Sequence, residues 1–286
     1  MIIEKAFAKV NLGLEVCGKR TDGFHDLKMI ILPISLYDTL YFEIDDDITL
    51  EVKGADISLK DNLVYQVTCY MKDYFDIKKG VKITLDKQIP LGAGLGGGSS
   101  DAAATIRALS KLWNLHLSDA KMHEISLLFG SDVPFFIKSL PSLVEGRGEI
   151  LKPIKLKKAL EMILLYPNYQ TKTKEVFSKI STYQSSKRID YLKMALEEGN
   201  IKKIANLVFN DLSEASNIVC QNNNNISPNF LLELLKKYFP LATLMSGSGS
   251  TIISLWEDAS YKNSLFEYLK ALYPEYSFYN VVANCH

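Results

Sequence analysis

The chain has 286 residues, of which 47% are hydrophobic and 23% are charged, a composition typical of a folded globular protein. Its 33 basic and 33 acidic side chains give zero net charge, which argues against nucleic acid as the main ligand. The length exceeds that of a usual single core, so we predict two domains, residues 1–150 and 151–286.

The cysteines and the N-terminus both favour the cytoplasm. The four cysteines have no C-x-x-C spacing, which argues against a zinc site or a disulfide framework. The segment MIIEKAFAKV has charges at Glu4 and Lys5 and no long apolar core, so no signal peptide is predicted, and no apolar run approaches membrane-spanning length. We expect a cytoplasmic monomer or weak homodimer with no membrane or nucleic-acid partner.

The first sixteen residues alternate well enough to predict two strand segments, with Lys9 and Asn11 near the middle. A lysine in a strand most often points to solvent, so Lys9 alone does not indicate a function. The polar turn 20–25 follows and ends in Phe24 and His25. A lone histidine is more often structural than functional. Phe24 and His25 therefore indicate a function only as part of the long string AKVNLGLEVCGKRTDGFHDL.

Strands and one helix come next. Apolar and β-branched runs, broken at Pro33, at Asp38 and at an acidic turn, predict further antiparallel strands. Residues 62–75 place apolar side chains at helical spacing, with Asn62 or its predecessor as the cap. The aromatic stripe of this helix is assigned to the core.

The stretch PLGAGLGGGSSDAAATI, which begins at Pro90, contains five of the sixteen glycines. Such dense glycine permits positive φ and lets a ligand approach the backbone amides. A half-buried strand at 81–85 precedes it, and Ser99, Ser100 and Asp101 suit the cap or first turn of the helix that follows. First-turn amides and the helix dipole favour an anion, usually phosphate. A flexible turn is the alternative, although a tight turn requires only one or two glycines.

Several known classes of phosphate-binding loop can be compared with this stretch by the residues that they require. A Walker A loop ends in Gly-Lys-Ser/Thr, whereas these glycines lead into two serines with no lysine. Gly92, Gly94 and Gly97 match G-x-G-x-x-G, but a dinucleotide fold expects a second strand where residues 117–130 look helical. The H-R-D and D-F-G strings of protein kinases do not occur.

A second helix is predicted from Ser118 to Phe129, ending at Gly130, a normal C-cap position. Asp132 follows in a turn between apolar residues. An aspartate before a proline-containing segment is usually a turn former or a helix cap, so its position alone does not make it catalytic.

The second half of the chain interleaves strands with helices. We predict in order a strand and turn at 141–148, a strand ending near Tyr166, helices through 172–180 and 188–207, an asparagine-rich loop at 221–225, a helix in NFLLELLKKYF, a strand to Met245, a glycine turn at 246–250, a strand to Trp256, one more helix and the strand YSFYNVVAN. This order favours an α+β sandwich of ferredoxin-like type.

Three motifs in order resemble the GHMP kinases, the superfamily of galactokinase, homoserine kinase, mevalonate kinase and phosphomevalonate kinase. PLGAGLGGGSSDAA resembles their phosphate loop, GSDVPF the segment of their catalytic aspartate, and GSGS their second glycine motif. The N-terminal string resembles the pattern A-K-(I/V)-N-L-x-L and R-x-D-G-(Y/F)-H of members that act on a cytidyl-diphosphate sugar alcohol.

The resemblance covers nearly the whole chain and implies a fold. We expect an α+β, two-domain GHMP kinase fold. Its parts would be an N-terminal ribosomal-protein-S5-like ATP-binding domain and a C-terminal ferredoxin-like α/β sandwich, with the boundary near residue 150.

The resemblance also implies ATP and Mg²⁺ as cofactors. Mg²⁺ normally takes one or two protein oxygens beside those of the nucleotide, so no ligand is assigned to it. The phosphates would bind the loop, which consists of Pro90, Leu91, Gly92, Ala93, Gly94, Leu95, Gly96, Gly97, Gly98, Ser99 and Ser100.

The same resemblance assigns roles to side chains. Asp132 would take the proton of the acceptor hydroxyl, and Lys9 beside it would keep the carboxylate ionised and neutralise charge in the transition state. Asp101 stands where the family pattern often has asparagine, and we expect its side chain to face away from the phosphates. The cytidyl substrate would contact Asn11, Phe24, His25, Thr173 and Phe177.

We therefore expect phosphorylation of a hydroxyl on a cytidyl-diphosphate sugar alcohol, in non-mevalonate synthesis of isoprenoid precursors. One alternative is another GHMP kinase of homoserine or mevalonate type. A second is a nucleotide-binding regulator that kept the fold and lost turnover, but a pure binder would need only the loop and not both Lys9 and Asp132.

Overall fold

The structure is a computed structural model that describes residues 1–183 and 186–284, so Cys285 lies outside the described part. The strands are β1 (Ile2–Lys19), β2 (His25–Asp45), β3 (Ile48–Lys53), β4 (Gly80–Asp86), β5 (Ser142–Gly146), β6 (Ile150–Pro153), β7 (Leu160–Tyr166), β8 (Phe209–Asn210), β9 (Ala242–Met245), β10 (Ile252–Trp256) and β11 (Ser277–Ala283). The helices are α1 (Leu63–Tyr74), α2 (Gly97–Leu112), α3 (Asp119–Ser126), α4 (Val133–Lys138), α5 (Thr173–Ser178), α6 (Arg188–Glu198), α7 (Ile201–Leu207), α8 (Ser213–Asn222), α9 (Pro228–Lys236) and α10 (Ala259–Leu272). Within these described ranges, no helix combines the length and the apolarity that a membrane crossing requires.

Two compact units interleave along the chain. The first unit comprises Met1–Ala8, Leu36–Leu91 and Gly96–Ser139, and the second comprises Lys9–Ser35, Gly92–Leu95 and Leu140–His286. The strands β1 and β2 each contribute residues to both units. The domain boundary near residue 150 stays a prediction.

In the first unit, the last residues of β2 pair antiparallel with β4, and β4 pairs parallel with β3. The parallel pair differs from the predicted antiparallel arrangement because α1 connects β3 to β4, and a helical crossover lets neighbouring strands run in the same direction. Phe42, Ile83 and Leu85 are completely buried, and so are most of the alanines of α2, which packs against α1, α3 and α4. This core supports the start of α2.

Both N-terminal strands are longer than predicted. β1 is one strand of 18 residues, not two segments, and β2 has 21 residues and continues through Pro33 and Asp38. The ladder of β2 with β5 ends at Ile31, and its ladder with β4 begins at Thr39. Strand β2 also neighbours β1 in the sheet. Pro33 lies between the ladders with β5 and β4, where its missing N–H removes no bond to either of these two strands. The predicted break at this proline was wrong.

The helices around the glycine loop differ from the predictions at their ends. The helix predicted at 62–75 is confirmed as α1, with Asn62 as its cap. The helix α2 begins at Gly97, so Ser99 lies in its first turn and none of the predicted residues is the N-cap. The helix α3 ends at Ser126, and the next residues form a turn before Gly130, which has a φ of +146°.

A short helix that was not predicted, α4, begins directly after Asp132. Its second residue is Pro134, which is tolerated because the first turn of a helix has no N–H partners to lose. Of the two local interpretations of Asp132, turn former and helix cap, the structure gives the N-cap position.

The second unit contains a four-stranded antiparallel sheet in the order β11-β7-β10-β9. Nearly every residue of β7 and β10 is buried, as expected for central strands, and α9 and α10 pack against this sheet. The hairpin β5–β6 pairs with the first residues of β2, and β8 pairs parallel with β1. A mixed α+β organisation was predicted, and it is confirmed.

The helices of the second unit are shorter and more numerous than predicted. The helix predicted at 188–207 is two helices, because Gly199 adopts a left-handed φ of +74° that ends α6 and Asn200 caps α7. The helix α8 was not predicted and continues to Asn222, so the loop predicted at 221–225 begins later than expected. The hairpin of β9 and β10 around the second glycine turn is confirmed.

Candidate active site

The second unit brings the first glycine motif against the second. Gly94 has a φ of +75°, and a Cβ at this position would lie 2.7 Å from the carbonyl oxygen of Gly249 and 2.8 Å from that of Ser246. The hydroxyl of Thr251 donates to the carbonyl oxygen of Ala93 at 2.7 Å. Only glycine fits at position 94, and the two glycine motifs are in direct contact.

The first unit contains the remainder of the glycine loop and the start of α2. Gly96 has a φ of +74° and caps α2 without any side-chain hydrogen bond. The amide of Ser100 donates to the carbonyl oxygen of Gly96 at 2.9 Å, whereas the amides before it have no earlier turn to bond. A Cβ at Gly98 would have no atom closer than Leu63 Cδ1 at 3.9 Å. These open amides at a helix N-terminus suit phosphate oxygens.

A buried ionic cluster lies beneath this helix start. Lys87 Nζ donates to Asp38 Oδ2 at 2.5 Å and to Asp101 Oδ2 at 2.7 Å, and all three side chains are at most 4% exposed. A Cβ at Gly97 would lie 3.2 Å from the same Nζ, so the ammonium is next to the first residue of α2. The side chain of Asp101 therefore lies in the interior of the first unit, bound to Lys87.

Burial sets the protonation behaviour of this cluster. Burial raises the pKa of Asp101 to about 8. The charge of Lys87 opposes this shift, and the charge of Asp38 adds to it. One Asp101 oxygen, Oδ1, is buried with no hydrogen-bond partner. Burial would lower the pKa of Lys87, but the two carboxylates together raise it. The roles of Lys87 and Asp38 were missed from the sequence, where Lys87 directly follows the alternating strand β4 and is next to another charged residue, Asp86.

Lys9 does not point to solvent. It is 5% exposed in β1, and its Nζ donates to Asn11 Oδ1 at 2.6 Å and to the carbonyl oxygen of Gly94 at 2.8 Å. Its amide also donates to the carbonyl oxygen of Leu95 at 2.9 Å. A Cβ at Gly247 would lie 3.3 Å from Lys9 Nζ. A buried ammonium is therefore held at both glycine motifs within the second unit.

Asp132 belongs to the first unit and is half-buried at the N-cap of α4. Its side chain makes no capping hydrogen bond to the helix. An aspartate at an N-cap usually accepts such a bond, so this carboxylate is not used for the local structure. Its role, and its pairing with Lys9, stay predictions.

The turn before β2 is fixed by ionic contacts. Arg20 contacts Asp22 at 3.1 Å and Asp26 at 2.8 Å, and the amide of Phe24 donates to Asp22 Oδ1 at 3.1 Å. Gly23 has a φ of +86°, which favours glycine at this position. Burial raises the pKa of Asp22, but the Phe24 amide and Arg20 together lower it below its ordinary value. The turn therefore presents Phe24 and His25 on a rigid base.

Aromatic rings cluster beside this turn in the second unit. The ring of His25 lies 5.0 Å from that of Phe177 at 30° and 6.0 Å from that of Tyr183. Burial, with a smaller effect of Lys19, lowers the pKa of His25, so the neutral imidazole predominates at neutral pH. His25 and Phe177 are thus brought together with Tyr183, which belongs to none of the motifs recognised in the sequence. Phe24 is 52% exposed.

Thr173 begins α5 and contacts the second glycine motif. Its hydroxyl lies 2.8 Å from that of Ser248, although the residue itself is exposed. Ser248 is in turn contacted by the hydroxyl of Ser216, which donates to its carbonyl oxygen at 3.2 Å. The predicted substrate residue Thr173 therefore lies at the second glycine motif, one turn of α5 before Phe177 of the ring cluster.

No preformed metal site is found in the part of the chain that the structure describes. Within it, no group of three or more His, Cys, Asp or Glu side chains is placed to bind an ion. Mg²⁺ in phosphoryl transfer is bound mainly by phosphate oxygens and water, and its presence here stays a prediction.

Comparisons with known proteins identify relatives over almost the whole chain. The family described as "GHMP kinases N terminal domain" matches residues 62–139. A 4-diphosphocytidyl-2-C-methyl-D-erythritol kinase from Thermoanaerobacter pseudethanolicus is 39% identical over 272 residues, 94% of this chain and 92% of the relative. A second relative with the same name, from Clostridioides difficile, is 36% identical over 260 residues, 89% of this chain and 86% of its own length.

A solved structure of 4-(cytidine 5'-diphospho)-2C-methyl-D-erythritol kinase superposes with a TM-score of 0.83, at 28% identity, over 99% of this chain and 100% of that chain. Structures of the rival kinase classes are much more distant in sequence. Mevalonate kinase of L. major, for example, has a TM-score of 0.73 at 17% identity and therefore shares the fold alone.

Proposed function

Because the chain belongs to the 4-diphosphocytidyl-2-C-methyl-D-erythritol kinases of the GHMP superfamily, we propose how its residues phosphorylate the 2-hydroxyl of that alcohol with ATP. The chain is a kinase of an alcohol group, in the non-mevalonate route to isoprenoid precursors. One observation supports the site most strongly, the buried Lys9 ammonium bound to the carbonyl oxygen of Gly94 in the phosphate loop.

The phosphates of ATP bind the loop from Pro90 to Ser100. Support comes from the uncapped start of α2 and from the open space around Gly98. The glycines let the backbone approach the phosphates, and the dipole of a 16-residue helix adds favourable potential at its N-terminus. Mg²⁺ would enter with the nucleotide and neutralise charge on the transferred phosphoryl group.

Asp132 accepts the proton of the 2-hydroxyl and orients this oxygen for in-line attack. The lack of a capping bond supports the role, because the carboxylate is not needed by α4. Lys9 stabilises the negative charge that develops on the transferred group.

The cytidine is held by the ring cluster. Phe24 stacks on the base, neutral His25 forms hydrogen bonds with the base edge, and Phe177 supports the histidine ring at 5.0 Å. Asn11 and Thr173 contribute polar contacts nearer the glycine motifs, where their side chains bond Lys9 and Ser248. Homoserine and mevalonate have no base, so this cluster would have no use in a kinase acting on either compound.

The product identifies the reaction directly. We expect the protein, given ATP, Mg²⁺ and the cytidyl substrate, to yield ADP and an acceptor with one added phosphoryl group, which phosphorus NMR places on the 2-hydroxyl. A phosphoryl group at another hydroxyl, or no new phosphoester, contradicts the proposal. We further propose a cytoplasmic monomer or weak homodimer, which sedimentation equilibrium at several concentrations would test.

A further inference from the structure

The turn of the β5–β6 hairpin lies beside the turn that presents Phe24. The antiparallel register pairs Leu27 of β2 with Gly146 of β5, so the residue after Gly146 is level with the start of β2. Gly146 has a φ of +72°, and the amide of Arg147 donates to Glu149 Oε2 at 2.6 Å. Arg147 therefore leaves a fixed hairpin turn next to the aromatic residues, within the second unit.

The guanidinium of Arg147 covers one face of the Phe24 ring. Its central carbon lies 5.0 Å from the ring centroid, a distance at which a cation is attracted by the aromatic face. The ring is nevertheless 52% exposed, so much of its surface is available to a ligand. An arginine on one face of a ring holds the ring in place for a base that stacks on the other.

The guanidinium of Arg147 forms no salt bridge in the described part of the chain, although its charge contributes to lowering the pKa of Asp22 in the adjacent turn. Arg20, in the adjacent turn, is bound by both Asp22 and Asp26. In contrast, across residues 1–183 and 186–284, no carboxylate lies within ion-pair distance of the Arg147 guanidinium, which is only half-buried. An uncommitted guanidinium with its N–H groups accessible is well suited to a phosphate oxygen.

We propose that Arg147 is a specificity-determining residue for the acceptor. It stacks on Phe24 opposite the cytosine and pairs with the diphosphate that is attached to the cytidine. This inference rests on the proposed function, because it requires a cytidyl-diphosphate substrate. It adds to that function a residue that recognises the anionic part of the substrate.

The test compares Arg147→Ala and Arg147→Lys with the wild type in steady-state kinetics. In Arg147→Ala we expect the KM for the cytidyl substrate to rise roughly tenfold or more, with kcat and the KM for ATP changed by less than about twofold. Arg147→Lys keeps the charge but not the planar group, so its KM for the cytidyl substrate should lie between those of the wild type and Arg147→Ala. Inhibition by CDP should weaken in Arg147→Ala more than inhibition by cytidine, because only CDP has phosphates.

Lys152→Ala is the matched control, because Lys152 is a cation of the same hairpin that pairs with Glu145 at 2.5 Å and is 58% exposed. It should leave all constants near those of the wild type. A KM for the cytidyl substrate that stays within about twofold in Arg147→Ala, while the wild type turns the substrate over, overturns the role of Arg147 alone. A wild type that does not phosphorylate the cytidyl substrate instead overturns the proposed function, and the inference with it.

Discussion

At the scale of single residues, the candidate site contains buried charged side chains, and the fold determines which groups each of them contacts. Lys9 donates to an amide oxygen and to a backbone carbonyl, and these two contacts hold its ammonium at the glycine motifs. Lys87 is bound instead by Asp38 and Asp101 and serves the structure beneath the loop. The two lysines look alike in sequence and differ only in what surrounds them.

Removing the charge of Asp132 tests its proposed role. We expect Asp132→Asn to lower kcat by about 100-fold or more, because a neutral amide cannot take the hydroxyl proton. ATP affinity, measured by calorimetry, should change by less than about threefold because the loop is unaltered. Asp119→Asn is the control, since Asp119 is an exposed aspartate of the same unit that pairs with Lys138. Undiminished turnover in Asp132→Asn would contradict the mechanism.

The buried cluster predicts a specific dependence of stability on pH. Because the pKa of Asp101 is raised in the folded protein, the folded state holds a proton that the unfolded state releases above about pH 4. The stability that this proton provides is complete at low pH and is lost as the pH rises towards about 8.

In Asp101→Asn, which cannot ionise, we therefore expect the free energy of unfolding to fall less between pH 5 and pH 8 than in the wild type. The difference should be on the order of 1–3 kcal/mol. Urea unfolding at several pH values measures it. Parallel stability curves for the two proteins would show that Asp101 does not titrate in this range.

At the scale of elements, the two glycine motifs act as one packed unit. A Cβ at Gly94 would collide with backbone oxygens at 2.7 and 2.8 Å, and neither can move without shifting its strand or turn. Gly94→Ala should therefore raise the KM for ATP more than about tenfold and destabilise the fold by about 1–3 kcal/mol. Gly18→Ala is the control, because nothing lies within 4 Å of a Cβ there. Equal effects of the two substitutions would contradict the account.

Local patterns predicted the elements well, and long-range pairing explains the failures. The alternation of β4, the cap of α1 and the hairpin around the second glycine motif could be predicted because each depends on nearby residues. Asp38 and Lys87 could not be joined from sequence, because they are 49 positions apart and meet only through the β2–β4 register that pairs Thr39 with Asp86. The continuity of β2 through Pro33 likewise depends on where its partner strands end.

At the scale of the whole molecule, the chain builds two units by passing between them more than once. The long strands β1 and β2 and the glycine loop each contribute to both, which a prediction of two consecutive domains does not include. The fold is shared by kinases of several alcohols, since mevalonate kinase superposes well at 17% identity. Fold alone therefore does not select the substrate, and we propose that the ring cluster does so.

Substrate choice is the most direct test of the account. A coupled ADP-release assay with ATP and Mg²⁺ would compare kcat/KM for 4-diphosphocytidyl-2-C-methyl-D-erythritol, homoserine and mevalonate. We predict turnover of the cytidyl compound and kcat/KM values at least about 1,000-fold lower for the other two, because neither offers a base to Phe24 and His25. Comparable turnover of homoserine or mevalonate would contradict the assignment of the ring cluster and with it the proposed substrate.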